Sequence, residues 1–458
     1  MVFSSVLFLF KFLPIALLIY YIVPARFKNL ALVVFSLVFY SWGEVRYFPL
    51  MAATIAINYL ASLGMSRWRE RKGIKRLMLW ICLVWCIGSL LFFKYSDFFI
   101  SNVNGIFGTQ IQALALTLPL GISFYTFQTL AYTIDVYRGE VETERNIINF
   151  GAFVVMFPQL IAGPIVNYKD ISRELHSRRI DVDKVSEGIK LFIFGLGKKV
   201  LIANNIGALW TQVESMGLAN VSSALAWLGV VAFSLQIYFD FSGYSMMAIG
   251  LGKLLGFEFP QNFNFPYISK SATEFWRRWH MTLGAWFKNY LYIPLGGSRN
   301  GKARTYLNIF VVWAATGFWH GASWNFVIWG LFFCVFLIIE KAWLYKYLEK
   351  GKVWPHIYLI FIVVVSWAIF STTDMGALGD LFGKLFSFSG GTDWIYYLRN
   401  YGVSFAVAIL CSIPLISKLY DKIKRSMVLE TVILLVIFGM SVAYLVDATY
   451  NPFLYFRF

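Results

Sequence analysis

Apolar runs long enough to bury a helix in lipid recur along this whole chain, and no polar stretch between them approaches the length of a domain. That alternation constrains the fold more than any other feature. Inside a bilayer every backbone N–H and C=O must be satisfied within the protein, which leaves helices or a closed barrel. The runs are continuously apolar instead of alternating, so they read as helices. Hydrophobic residues make up 59% of the 458 and charged residues 14%, outside the balance of soluble domains. The first run, roughly residues 6–23, has no small-residue cleavage site and is followed at once by more apolar sequence. It reads as a retained helix, not a signal peptide.

The net charge of +16 does not mark a nucleic-acid-binding protein, because the basic residues sit in short loops between apolar runs. That is the pattern of cytoplasmic loops. Arg67, Arg69, Arg71, Lys72, Lys75 and Arg76 oppose only Glu70, which places this loop inside and the N-terminus outside. Full crossings are expected near 6–23, 30–42, 48–64, 78–95, 113–131, 190–210, 222–252, 355–372, 402–417 and 427–446. That gives about ten in one integral membrane domain spanning 1–458, with both termini outside. Three stretches do not read as crossings. Segment 149–166 is broken by Pro158 and by Gly163-Pro164 and flanked on both sides by charged loops, so it is expected to dip in and return. Segment 272–294 is too charged to span, and Ser271-Ala272-Thr273-Glu274 is a capping box opening an expected helix of about 20 residues. Segment 305–340 reads as a hairpin with His320 near its tip.

The chain has four histidines. His176 and His356 lie in loop-like surroundings. His280 and His320 lie in tryptophan-rich apolar sequence, where a titratable imidazole is expensive unless it has a partner or a task. Imidazole moves protons near neutral pH, so both are candidate catalytic groups; structural hydrogen bonding is the competing reading. Helical spacing puts Trp276, His280, Leu283 and Phe287 on one face. Arg277, Arg278 and Lys288 on the same segment could meet lipid phosphates or an anionic donor. Cys82, Cys86, Cys334 and Cys411 lie in apolar helices without metal-ligand spacing, so no metal is expected. Gly195-Leu196-Gly197-Lys198-Lys199 fails as a phosphate loop because Phe192 stands where its first glycine belongs. Phe241-Ser242-Gly243-Tyr244-Ser245 lacks the glycine spacing of a nucleophile elbow.

Six motifs follow in order. They are Phe157-Pro158-Gln159-Leu160-Ile161-Ala162-Gly163-Pro164-Ile165, Tyr238-Phe239-Asp240-Phe241-Ser242-Gly243-Tyr244-Ser245 and Pro260-Gln261-Asn262-Phe263-Asn264-Phe265-Pro266-Tyr267. Then come Glu274-Phe275-Trp276-Arg277-Arg278-Trp279-His280-Met281-Thr282-Leu283, Tyr290-Leu291-Tyr292-Ile293-Pro294-Leu295-Gly296-Gly297 and Gly317-Phe318-Trp319-His320-Gly321-Ala322. In this order they resemble the membrane-bound O-acyltransferase (MBOAT) family, and within it the bacterial alginate O-acetyltransferase-like branch. Met246 stands where that branch implies an aspartate. The resemblance runs to about residue 340; beyond it only hydropathy matches.

The resemblance implies an all-α polytopic membrane protein of the bacterial inner membrane, a ring of tilted helices around a funnel with re-entrant segments carrying the active site. It implies that His320 matches the family's essential histidine and His280 its second active-site position, which other members fill with asparagine or aspartate. The chemistry expected is acetyl transfer from a cytoplasmic thioester, acetyl-CoA, toward an exported polysaccharide, with no permanently bound cofactor. His320 acts as base, and His280 stabilises the oxyanion or orients a reactant; acyl-histidine formation is an alternative. Related systems imply a serine-hydrolase-like partner outside the membrane that takes the acetyl group. Two other readings stand: D-alanyl transfer from an acidic acyl carrier protein, and a lipid or polysaccharide transporter with a histidine proton relay. Paired broken helices, the mark of inverted-repeat transporters, are not found in the sequence.

Overall fold

A computed structural model of the chain describes residues 2–161 and 163–447, and among these every regular element is helical. Ala162 of the first motif and the C-terminal end lie outside the described residues. Two compact units form, Met1–Phe192 with Met247–Pro260, and Ile193–Met246 with Gln261–Phe458.

The first unit contains α1 (Leu13–Ile22), α2 (Lys28–Glu44), α3 (Phe48–Arg67), α4 (Lys72–Phe107), α5 (Ile122–Arg138), α6 (Ile147–Val155), α7 (Phe157–Leu160) and α8 (Tyr168–His176). Phe8, Phe12, Phe39 and Phe157 pack with ring centroids 5.4–6.3 Å apart, edge-on or tilted for the most part, as aromatic quadrupoles prefer. The segment expected to dip and return is broken as its sequence suggests. Helix α6 stops at Met156, Pro158 enters the first turn of α7, and the Phe157 N–H donates to Ser36 Oγ at 3.0 Å. A side chain from α2 thus satisfies a donor that the broken helix leaves behind.

The second unit takes the end of α9 (Val182–Gly197), α10 (Asn204–Met216) and most of α11 (Ser223–Leu254). It continues through α12 (Ala272–Arg278), α13 (Met281–Phe287), α14 (Gly301–His320), α15 (Trp324–Ile339), α16 (Tyr345–Lys350) and α17 (Trp354–Ser371). It closes with α18 (Met375–Phe386), α19 (Asp393–Ser412), α20 (Leu415–Ile423) and α21 (Met427–Asp447). The second lysine of the failed phosphate loop has a different task. Lys199 is buried in a π-turn after α9, and its Nζ lies 2.7 Å from Asp240 Oδ1 on α11 and 2.9 Å from Asn204 Oδ1. A buried pair of this kind contributes little by itself, but removing one partner costs about 3–5 kcal/mol.

By length and apolarity, seven helices among the described residues are able to cross a membrane, or eight with the bent pair Asp393–Ser412 and Leu415–Ile423 taken as one span. Three differences separate this from the ten expected crossings. Phe8–Ile22 and α5 fall short in length, Ala25–Arg67 counts once though it holds α2 and α3, and Trp324–Lys350 qualifies although it was expected as half of a hairpin.

Candidate active site

The segment after residue 271 begins as its sequence predicts and then departs from it. Ser271 is the N-cap of α12, its side chain accepting from the Glu274 N–H at 3.0 Å. The return bond of the box goes one residue further back, from the Lys270 N–H to Glu274 Oε2. The larger contribution comes from Glu340, fully buried at the end of α15. Its carboxylate accepts from the backbone N–H groups of Ala272 (2.6 Å) and Thr273 (2.9 Å), from Thr273 Oγ1 (2.7 Å) and from Tyr358 OH (3.2 Å). A carboxylate is well matched to the exposed N–H groups at a helix start. Glu340→Ala should therefore leave the buried Ala272 amide and the half-buried Thr273 amide unpaired, lower stability by about 2–3 kcal/mol and reduce turnover, with Glu340→Gln partly restoring both. If the alanine variant melts and turns over like the parent, this cap is not what holds α12.

The expected 20-residue helix does not form. It breaks at His280, whose φ of 42° and ψ of 54° lie in the left-handed region, leaving the two seven-residue helices α12 and α13. The loop ahead of α12 explains the break. Asn262 accepts the Met281 N–H on its carbonyl (3.0 Å), and Asn264 donates its N–H to the Arg278 carbonyl (2.9 Å). The Oδ1 of Asn262, also buried, accepts from the Thr282 N–H (3.3 Å), from Thr282 Oγ1 (2.9 Å) and from His280 Nδ1 (3.0 Å). These long-range bonds replace the helical ones lost at residue 280. The break means that Trp276 and His280 do not share a continuous helix face with Leu283 and Phe287.

The same bonds fix the tautomer of His280. A backbone N–H can only donate, so the Asn262 atom it meets is the oxygen, and His280 Nδ1 must be the donor to it. His280 is 1% exposed and lies between helices too short to span, and burial pushes its pKa down from the usual value to about 3. The neutral ring therefore presents a lone pair at Nε2. A lone pair accepts a hydrogen bond, so it suits orientation of a hydroxyl and not stabilisation of an oxyanion. Phe241 from the Asp240 motif stands edge-on to the imidazole at 4.7 Å.

His320 ends α14, and a three-residue turn leads into α15, against which α14 packs as a helical hairpin. Two glycines set how closely its arms approach. A Cβ on Gly317 would fall 2.4 Å from the Phe326 carbonyl oxygen, and one on Gly330 would fall 2.5 Å from that of Trp313. At the tip, His320 is 7% exposed, with Trp319 and Trp329 each 4.9 Å away and Phe370 5.4 Å away, all edge-on to its ring. Asn325 fixes this wall by donating to the carbonyls of Ile369 (3.2 Å) and Phe370 (3.1 Å). Trp319 is also in ring contact with His280, at 6.2 Å, so one indole touches both histidines. Trp276 joins α12 to the hairpin through Trp313 (4.7 Å) and Trp329 (5.5 Å).

The three basic residues do not act alike. Arg278 forms a 2.9 Å ion pair with Glu274 and donates to the Asn264 carbonyl at 3.2 Å, bracing the loop that carries Asn262. Arg277 and Lys288 are exposed. His356 on α17 donates from Nδ1 to the Ser269 carbonyl at 3.2 Å, a structural contact.

Comparison with known proteins decides the family. Residues 141–374 match the membrane-bound O-acyltransferase family, a span that includes both histidines and their partners. The chain is 42% identical to a probable alginate O-acetylase of Pseudomonas syringae pv. tomato, over 86% of this chain and 76% of that protein. It belongs to the membrane-bound O-acyltransferase family. This MBOAT protein is thus an all-α, multi-pass membrane enzyme that transfers acyl groups to oxygen. It is also 38% identical to a peptidoglycan O-acetyltransferase of Helicobacter pylori, over 75% of this chain and 71% of that protein. With a teichoic acid D-alanyltransferase of Streptococcus thermophilus the identity is 29%, over 50% of this chain and 58% of that protein. Asn262, Glu340 and Asn325 were missed as site-forming residues by sequence reasoning. Asn262 lies inside a quoted motif, but nothing local ties it to a histidine eighteen residues on.

Proposed function

We propose that this MBOAT enzyme moves an acetyl group from acetyl-CoA, made in the cytoplasm, toward a polysaccharide hydroxyl beyond the bacterial inner membrane, by way of a serine-hydrolase-like partner outside. The single observation that carries the chemistry is His320, an imidazole at the tip of a hairpin and walled by two tryptophans and a phenylalanine. The acetyl group is favoured over D-alanine because the alginate and peptidoglycan acetyl-transferring relatives align over far more of the chain than the D-alanyl-transferring one. In the reaction His320 takes the proton of the attacking hydroxyl as its oxygen bonds to the thioester carbon. The carbon–sulfur bond then breaks, and the imidazolium returns the proton to the leaving thiolate. His280, with its lone pair at Nε2, orients the hydroxyl. Nothing in this sequence of steps needs a permanently bound cofactor.

The test is transfer of radiolabelled acetyl from acetyl-CoA by the purified protein in proteoliposomes, with and without an acyl carrier protein. Label that moves only when a carrier is supplied would replace acetyl-CoA with the carrier-borne reading. Arg277→Ala should raise the KM for acetyl-CoA several-fold at unchanged protein level, because an exposed arginine fork suits a phosphate; Lys288→Ala should do so less. Arg278→Ala should instead lower kcat, since it releases the loop holding Asn262. An unchanged KM in both the Arg277 and Lys288 variants removes them from donor binding.

We also propose one integral membrane domain with the loop 66–76 inside, and both termini and the stretch 373–400 outside, from the asymmetry of basic residues. Single cysteines at positions 72 and 390, in a background lacking the native four, should respond oppositely to an impermeant thiol reagent in intact cells. Labelling of position 72 from outside inverts the map.

A further inference from the structure

A second polar site lies in the first unit. The loop after α3, the segment between α5 and α6, and α8 enclose a cavity of about 990 Å³. Six cations line it, Arg69, Lys75, Arg138, Arg145, Lys169 and Arg173, against the carboxylates of Glu140, Glu142 and Glu144. Two of those carboxylates are already engaged. Glu140 pairs with Arg138 at 3.7 Å. Glu144 is buried, accepts from Tyr168 OH and the Asn146 N–H, each at 2.8 Å, and lies 3.1 Å from His176 Nε2. The other ring nitrogen of His176 lies 2.8 Å from the Ser172 carbonyl, so the imidazole is held at both ends. Behind it the Tyr132 hydroxyl accepts from the Glu144 N–H at 2.9 Å, and the rings of Tyr132 and Tyr168 meet at 4.9 Å.

The floor of the cavity is therefore built, and its buried acid is turned inward. Arg69, Arg145, Lys169 and Arg173 have no carboxylate partner among the described residues, and all four are exposed. Gathering like charges around a concave wall raises a positive potential that favours an anion there. Three of the four are arginines, whose planar fork pairs with two phosphate oxygens at once. The wall includes the basic loop 66–76, which the charge asymmetry assigns to the cytoplasmic surface.

We propose that this cavity binds a phosphate ester, held by Arg69, Arg145, Lys169 and Arg173 above the Glu144–His176–Tyr168 floor. The same chemistry is offered by the headgroup of an anionic phospholipid and by a soluble phosphate compound. Two arms separate the sources, both using the full-length protein. In detergent, inorganic pyrophosphate at matched ionic strength should raise the unfolding midpoint if the ligand is soluble. In nanodiscs of mixed phosphatidylglycerol and phosphatidylcholine, native mass spectrometry should find phosphatidylglycerol retained if it is a headgroup.

Whichever response is seen should be lost in Arg145→Gln/Arg173→Gln and kept in Lys346→Gln, an exposed cation far along the chain. Should the double variant fold poorly, Arg69→Gln, in an exposed loop, is expected to weaken the same response at least several-fold. No response in either arm, or an undiminished response in the arginine variants, overturns the site.

Discussion

His320→Ala is expected to lower acetyl transfer by about 10²–10⁴-fold, the contribution of a well-placed general base, while the protein inserts and purifies as before. The effect is large because the proposed mechanism gives His320 the proton of the attacking hydroxyl, and the rings nearest it, Trp319, Trp329 and Phe370, carry no base. Truncation opens a gap among rigid rings, so some stability is lost as well, but the helices of the hairpin remain held by their own packing. His320→Gln keeps most of the volume and removes the base. Comparing the two variants separates chemistry from packing: both should be inactive, and only the alanine variant should melt earlier. Acetylation at the parental rate by either variant, at parental protein level, would remove His320 from the mechanism.

Gly317→Ala is expected to reduce turnover by about 100-fold or more, although it adds one methyl group and touches no reactant. The new Cβ would stand 2.4 Å from the Phe326 carbonyl oxygen, with the Gly330 Cα 3.3 Å away. Both neighbours are helix backbone, so nothing flexible can swing aside. The arms of α14 and α15 must separate, and His320, three residues on, moves with α14. A displacement of about 1 Å at the reacting groups is enough for a loss of this size. Steric overpacking by itself costs about 1–3 kcal/mol, so the variant should still be isolated from membranes with a lowered unfolding midpoint. Parental kcat in Gly317→Ala would mean that the hairpin tip tolerates the shift.

What could be read from the sequence was what local chemistry determines. The helical, multi-pass character follows from apolar runs, and the two histidines stand out because imidazole is rare in such runs. The capping serine at 271 and the break at Pro158 follow from side chains that act on their own neighbourhood. The helix expected from residue 272 failed for the opposite reason. Its periodicity is sound, but the loop at 262–264, separated from it in sequence, supplies hydrogen bonds that outcompete the helical ones at 280. Likewise Glu340 reads as the polar end of an apolar helix until the fold brings it to the start of α12. Lys199 stands where a phosphate loop needs Ser or Thr, and its buried pairing with Asp240, forty-one residues away, could not be read locally. The left-handed backbone at 280 is one that asparagine or aspartate would also accept. These are the non-glycine side chains that tolerate that conformation best.

The aromatic wall around His320 has a bearing on waste. An acyl thioester beside a strong base is always at risk of hydrolysis, and every molecule lost to water is donor spent without product. Indole and phenyl faces cannot hold an ordered water in line for attack, so in the mechanism proposed for His320 the competing nucleophile would be kept dilute beside the base. On that reading, selectivity for an alcohol over bulk solvent would reside less in recognising the right acceptor than in keeping the hairpin tip dry.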